Sequence, residues 1–275
     1  MTQARGQLFP RILCSVDGTR AGYAAVHQAA RLAGAAGELT LLVVTAPTGG
    51  GAFSYAAVSP RRAERLLDES ERIARKAGAK EIVRLVDPGS PAPRVILERA
   101  AMHNLLALGA PVRSWIGDLF LDGVAVAALG SLNHPLLAVP ARAESLHPDA
   151  RILVASDGTD SSDRAVEIAG LLARSDGSEI AFVHAIASES HEHPHHVQEQ
   201  IRRLAAATGR EVTKFIEPAR PRAAIIAAVE ACNPWLLVMG SRHVEGLAVI
   251  GYVSRQVVHD APCPVLLVPP EDLTR

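Results

Sequence analysis

An aspartate followed by Gly-Thr occurs twice in this chain, in Arg11-Ile-Leu-Cys-Ser-Val-Asp17-Gly-Thr19 and in Arg151-Ile-Leu-Val-Ala-Ser-Asp157-Gly-Thr159. Each run is apolar up to the acid and then turns, which reads as a strand delivering one carboxylate to its C-terminal end. A second group with chemical potential is His191-Glu-His-Pro-His195, followed by His196. It matches His-Glu-x-x-His, a zinc-protease pattern that needs both histidines one turn apart on a single helix. Pro194 lies between them, and a helix-interior proline removes an N–H and clashes with the preceding turn. The cluster therefore reads as a solvated loop with no catalytic metal. Adventitious or regulatory metal binding by His191, His193, His195 and His196 is the alternative.

Other candidate groups carry less. Gly49-Gly50-Gly51 follows a strand pattern, opens no helix and precedes no Lys-Ser/Thr, so it reads as a connection and not a phosphate loop. Cys14, Cys232 and Cys263 are far apart with no Cys-x-x-Cys, which excludes a zinc-ribbon or disulfide framework. Cys14 sits inside an apolar strand pattern, where cysteine behaves as a small hydrophobe. Trp115 and Trp235 read as packing residues. Arg61 to Lys76 alternates its charges with Glu64, Asp68, Glu69 and Glu71, the pattern of an exposed helix face. The motifs of serine hydrolases, dinucleotide-binding dehydrogenases and Walker-type kinases are absent from the sequence.

What positions the two aspartates is a duplicated frame. Pro135-Leu-Leu-Ala-Val-Pro140 returns as Pro264-Val-Leu-Leu-Val-Pro269, and Leu105-Leu-Ala-Leu-Gly109 as Leu236-Leu-Val-Met-Gly240. Val86-Asp-Pro-Gly-Ser-Pro91 answers Ile216-Glu-Pro-Ala-Arg-Pro221 in the same order. A repeat of this length defines two domains, 1–145 and 146–275, joined where the apolar pattern lapses around Pro148. Strands are predicted near 11–16, 39–45, 81–86, 105–108 and 136–139, and again at 151–156, 179–187, 211–216, 236–240 and 265–268. Between them lie helical patterns. Ser161, Ser162 and Asp163 offer N-caps for a helix with Ala165, Ile168, Ala169 and Leu172 on one face. Further helices are predicted over 193–208, 222–231 and 250–260. Continuous apolar strands alternating with helices predict an α/β fold, two doubly wound domains, each a five-stranded parallel sheet with helices on both faces. The ligand crevice of such a sheet lies where strand order reverses. If the first and fourth strands are neighbours, Asp157 faces Gly240 there, and Asp17 faces Gly109.

At these residues the chain resembles the universal stress proteins. The strand-Asp-Gly-Thr opening carries the likeness, with the ending Leu236-Leu-Val-Met-Gly240-Ser-Arg242, Gly246-Leu247, Ile250-Gly251 and Ala261-Pro-Cys-Pro264-Val-Leu-Leu-Val268. It covers both halves, as in a tandem universal stress protein, and the second half is the closer match. Nucleotide-binding members of that family place an acid from the first strand near the nucleoside and second-strand backbone against adenine. A Gly-x2-Gly-x9-Gly-Ser/Thr stretch surrounds the phosphates. The resemblance thus implies an ATP or other adenine nucleotide site at Asp157, Ala185, Gly240, Ser241, Arg242, Gly251 and Ser254. The loop departs from the pattern, because His243 takes the second glycine position, Gly251 comes two residues early and Tyr252 replaces the hydroxyl residue. In the first half Asp17, Val44 and Gly109 keep their places. Val112, Asp122 and Gly123 do not, and a carboxylate at Asp122 would repel phosphate. The first half is therefore expected to be the degenerate, mainly structural copy.

Composition limits the remaining classes. Lys+Arg number 28 against 29 Asp+Glu, so no global attraction draws the chain to nucleic acid. Aromatic residues are 4%, too few to suggest base-stacking platforms. No uninterrupted apolar run reaches membrane-spanning length, and the first ten residues lack a signal-peptide core, which predicts a cytoplasmic protein. The expected function is a stress-response protein that binds and catalyses little or nothing, since sequence logic places no general base. A slow ATPase and a metal-responsive module at the 191–196 histidines stay open as alternatives. Residues 1–145 hold 16 basic and 12 acidic groups, and 146–275 hold 12 and 17. These opposite signs favour pairing of the halves within the chain, and a homodimer is left open.

Overall fold

A computed structural model describes residues 8–45, 58–89, 91–110, 134–141, 143, 151–159, 162–186, 195–241 and 251–269. Two compact units emerge, one spanning Phe9–Glu144 and the other containing Ser145–Arg275.

In the first unit β1 (Arg11–Ser15) leads through α1 (Arg20–Ala33) to β2 (Glu38–Thr45), and α2 (Pro60–Lys76) leads to β3 (Glu81–Pro88). The chain then returns through α3 (Ala92–Ala100) to β4 (Leu105–Ala110) and ends on β5 (Leu136–Pro140). The strand order is β3-β2-β1-β4-β5, and these neighbours pair in parallel. Right-handed crossovers fix the layers. Steps from β1 to β3 run one way and put α1 and α2 on one face, where they pack together. The return to β4 reverses direction and puts α3 on the other face, against β1 and β2.

The second unit repeats this order with β6 (Ile152–Ala155), α4 (Asp163–Asp176), β7 (Ile180–Ala185), α5 (His195–Thr208) and β8 (Thr213–Glu217). Then come α6 (Pro221–Cys232), β9 (Leu236–Gly240), α7 (Tyr252–Asp260) and β10 (Val265–Val268), in sheet order β8-β7-β6-β9-β10. Helices α4 and α5 pack on one face, α6 and α7 on the other.

The central strands are buried on both faces, as their continuous apolar runs require: Ile152, Leu153, Val154, Leu236, Leu237 and Val238 have no exposed surface. Each such Leu, Ile or Val contributes about 1.5–3 kcal/mol of burial. Strands β3 and β8 are only partly covered, and none of their residues is fully buried. Trp235 is buried as expected, and its indole N–H donates to Ser178 Oγ at 3.0 Å. Trp115 lies outside the described residues. Among the described residues, no helix is long and apolar enough to cross a membrane.

Candidate functional site

Strand order reverses between β6 and β9 in the second unit, and there the sheet opens a cavity of about 440 Å³. Register sets its floor. Ala155 pairs with Met239, so Ser156 stands level with Gly240 and Asp157 one residue beyond. The Ser156 N–H donates to the Val183 carbonyl at 3.1 Å, which ties this strand end to β7. Walls are apolar: Ala155, Val183, Ala185, Ile225 and Met239 line the cavity. Polar atoms enter at Ser156, Asp157 and Ser162 on one side and at Gly251 to Ser254 on the other.

Both ends are organised by local chemistry. Asp157 Oδ1 accepts from the backbone N–H of Thr159 at 3.1 Å and from its hydroxyl at 2.6 Å, an Asx turn that fixes the acid's direction. Helix α7 opens at Gly251 with no side-chain cap, so the first N–H groups, those of Tyr252, Val253 and Ser254, point out of the helix end at a wall of the cavity. The Ser254 hydroxyl donates to the Gly240 carbonyl at 3.4 Å, linking the helix start to β9. Tyr252 is 70% exposed, so most of its side chain lies in solvent.

Of the positions expected from sequence, Asp157, Ala185, Gly240, Gly251 and Ser254 meet at this cavity. Ser241 follows directly on β9 and is buried, with no partner for its Oγ among the described residues. Arg242 and His243 lie outside the described residues. Sequence reasoning missed the polar floor. Ser156, Ser162 and the fully buried Gln200 of α5 form a connected set beneath the cavity. Gln200 also donates to Asp163 Oδ1 at 2.6 Å, where the His196 Nε2–H donates at 2.8 Å, and Arg203 reaches Asp163 Oδ2 at 3.2 Å. Burial alone pushes the Asp163 carboxyl up. The hydrogen bonds from Gln200 and His196 and the two nearby cations together outweigh it and hold the group below the ordinary aspartate value. A findable signal existed: Gln200 occupies the buried stripe Val197, Gln200, Leu204, where an apolar residue belongs.

Of the histidine cluster, His195 and His196 open α5, while His191 and His193 lie outside the described residues. Among the described residues no three His, Cys, Asp or Glu side chains converge as metal ligands. Burial pushes the Cys263 thiol up to about 12 and raises that of Cys14 further, so neither is a ready nucleophile.

In the first unit Asp17 Oδ1 likewise accepts from Thr19 N–H and Oγ1–H, each at 2.8 Å. The Thr19 hydroxyl oxygen then accepts from Gly22 N–H at 3.0 Å, capping α1. Val44 lies in β2 and Gly109 in β4, but the first turn of α1 stands directly before Gly109. A Cβ there would come 2.5 Å from Gly22 N and 2.6 Å from the Ala21 carbonyl carbon. The equivalent loop, with Val112, Asp122 and Gly123, lies outside the described residues.

Each unit is thus a doubly wound α/β domain with the same strand order. The universal stress protein family model matches the chain twice, over residues 8–140 and 150–269, and the chain belongs to that family as a tandem of two such domains. It is 35% identical over 133 residues to a universal stress protein of Thermus aquaticus, covering 42% of this chain and 96% of that one. In fold it is similar to a universal stress protein from Archaeoglobus fulgidus, with TM-score 0.70 and 21% identity over 98% of this chain and 99% of that one. It is also similar to a protein of unknown function from Pseudomonas aeruginosa, with TM-score 0.66 and 18% identity over 98% and 96%.

Proposed function

We propose that this universal stress protein serves a stress response by binding an adenine nucleotide, ATP foremost, in the second-half crevice. The observation that carries the reading is the convergence of Asp157, Ala185, Gly240, Gly251 and Ser254 on one cavity. Its volume falls within the roughly 300–1,000 Å³ of small-molecule sites. Apolar walls from β7, β9 and α6 suit a flat base, and Asp157 offers an acceptor to nucleoside donors. The uncapped start of α7 suits phosphate oxygens, through orphan N–H groups and the helix dipole. Among the described lining residues Asp157 is the one carboxylate and no histidine or lysine occurs, which favours binding over hydrolysis.

ATP titration calorimetry on wild type, Asp157→Ala and Asp17→Ala tests the reading. Binding lost in Asp157→Ala and kept in Asp17→Ala is the expected result. No heat from wild type at millimolar ATP removes the nucleotide, and the reverse pattern moves the site to the first half. The duplication supports a second element of the proposal, that the halves pair within one chain, since a tether raises the effective concentration of a partner. Cross-links between halves whose yield is independent of protein concentration are expected.

A further inference from the structure

The serine pair under the cavity has a direction to its hydrogen bonds, and that direction is set from outside the cavity. Asp163 is ionised near neutral pH and accepts only, so the Gln200 amide must turn its Nε2 toward Asp163 Oδ1, at 2.6 Å. That leaves Gln200 Oε1, fully buried, facing the Ser156 hydroxyl at 2.6 Å, and a carbonyl oxygen can only accept. The second Gln200 amide hydrogen goes to Ser162 Oγ at 3.0 Å, nearer than the Thr159 carbonyl at 3.4 Å.

The hydrogens can now be counted. Ser156 has one hydroxyl hydrogen, and it is taken by Gln200. Ser162 has one, with Ser156 Oγ at 2.8 Å and the Thr159 carbonyl at 2.7 Å to receive it. Whichever it takes, no hydroxyl hydrogen is left to point into the cavity, although both serines line it. Gly158 N–H supplies one further bond to Ser156 Oγ at 3.0 Å. Only lone-pair capacity remains.

We propose that Gln200, oriented by Asp163, makes the Ser156–Ser162 pair an obligate acceptor, so the crevice selects a ligand group that donates an N–H or O–H there and rejects one that presents an acceptor. This rests on the nucleotide reading above and adds a specificity-determining residue to it. In an adenine nucleoside the donor is the 6-amino group or a ribose hydroxyl. The first half cannot discriminate this way, because Val16 and Gly22 hold the places of Ser156 and Ser162.

Two measurements test it. Neutron diffraction from deuterium-exchanged crystals without ligand is expected to place the Ser156 deuteron toward Gln200 and the Ser162 deuteron toward Ser156 or Thr159. Either deuteron aimed into the cavity overturns the proposal, whether or not nucleotides bind. Calorimetry then compares adenosine with inosine, and with the 2′- and 3′-deoxyfluoro analogues of adenosine, each of which carries an acceptor where a donor stood. Wild type is expected to bind at least one analogue about tenfold or more weakly than adenosine, because a buried acceptor would face another acceptor. Inosine as the weak one identifies the amino group, and a fluoro analogue identifies the ribose. In Gln200→Leu the Ser156 hydrogen is free to turn, and the penalty is expected to fall below about threefold. Should that variant fail to fold, Ser156→Ala is read the same way, since the first half folds with an apolar residue at this place. Equal affinity for all ligands in wild type, or an undiminished penalty in the variant, overturns the proposal. Absence of adenosine binding in wild type removes the nucleotide reading instead, and the neutron map alone decides the direction.

Discussion

The two strand-reversal points carry the same Asx-turn aspartate yet present different surfaces to a ligand. In the first, α1 begins at Arg20 and lays Ala21 and Gly22 against Gly109. In the second, Arg20 corresponds to Asp160, but the helix starts at Asp163, and Ser162 before it takes a helical φ/ψ with no side-chain cap bond. Its hydroxyl goes to Thr159 and the Gln200 set instead of the helix end. Leu66 of α2 stands over Gly18 as Val197 of α5 stands over Gly158, which aligns Glu69 with Gln200 and Tyr23 with Asp163. Burial, then the negative charges of Glu69 and Asp17, raises the Tyr23 phenol, whereas the second half puts its acid on α4 and answers it with amide, imidazole and guanidinium donors. The same turn thus stands beside a helix start packed on Gly109 in one half and beside the serine–glutamine set and a cavity in the other. The acid alone does not make a site.

The largest test of this contrast is Gly109→Ala. Its Cβ meets backbone that cannot give way cheaply, so urea unfolding is expected to show a loss of about 2–4 kcal/mol. A loss under about 0.5 kcal/mol would mean that α1 moves aside from Gly109. Next, Asp157→Ala is expected to weaken ATP binding by tenfold or more, about 1.4 kcal/mol, while Asp17→Ala changes it by less than about twofold. Asp163→Asn sharpens the comparison through pH. The folded Asp163 carboxyl titrates below its unfolded value, so its contribution is complete above about pH 3.9 and is lost as pH falls through the folded value. The variant is expected to be about 1–2 kcal/mol less stable at pH 7, with the gap to wild type closing below pH 4. A gap independent of pH would show that charge at Asp163 does not matter. The smallest effect concerns the edge strands. Arg84 of β3 pairs with Glu64, Asp68 and Glu71, and Lys214 holds its place in β8. Arg84→Ala is expected to cost under about 1 kcal/mol in thermal unfolding, as exposed ion pairs do.

The fold was legible because its strands are buried on both faces and read as unbroken apolar runs. Leu236–Gly240 and Val265–Val268 begin and end where the sequence placed them. The cavity's acid and glycines were legible through their turn chemistry and the family likeness. Its floor was not. Ser162 looked like an N-cap, and nothing local in Ser156 or Gln200 says that residues 44 positions apart share a hydrogen bond. Periodicity reports which face of a helix is buried, and a lone polar residue on that face needs the partner's position before it acquires a role. Met239 and Ile225 were likewise read as strand and helix material, although their place at the crevice makes them wall.

The tight packing around Gly22 and Gly109 limits exchange between the halves. A Ser at position 22, copying the second half, would drive its Cβ into the Asp17 carboxylate, and any side chain at 109 would strike the helix backbone. The second half keeps glycine at the place of Gly109, as Gly240, so Gly22→Ser is the step that separates the halves, and it needs the Asp17 carboxylate to move. The two copies are therefore not interchangeable at this position: where one half carries a hydroxyl, the other leaves room for its acid.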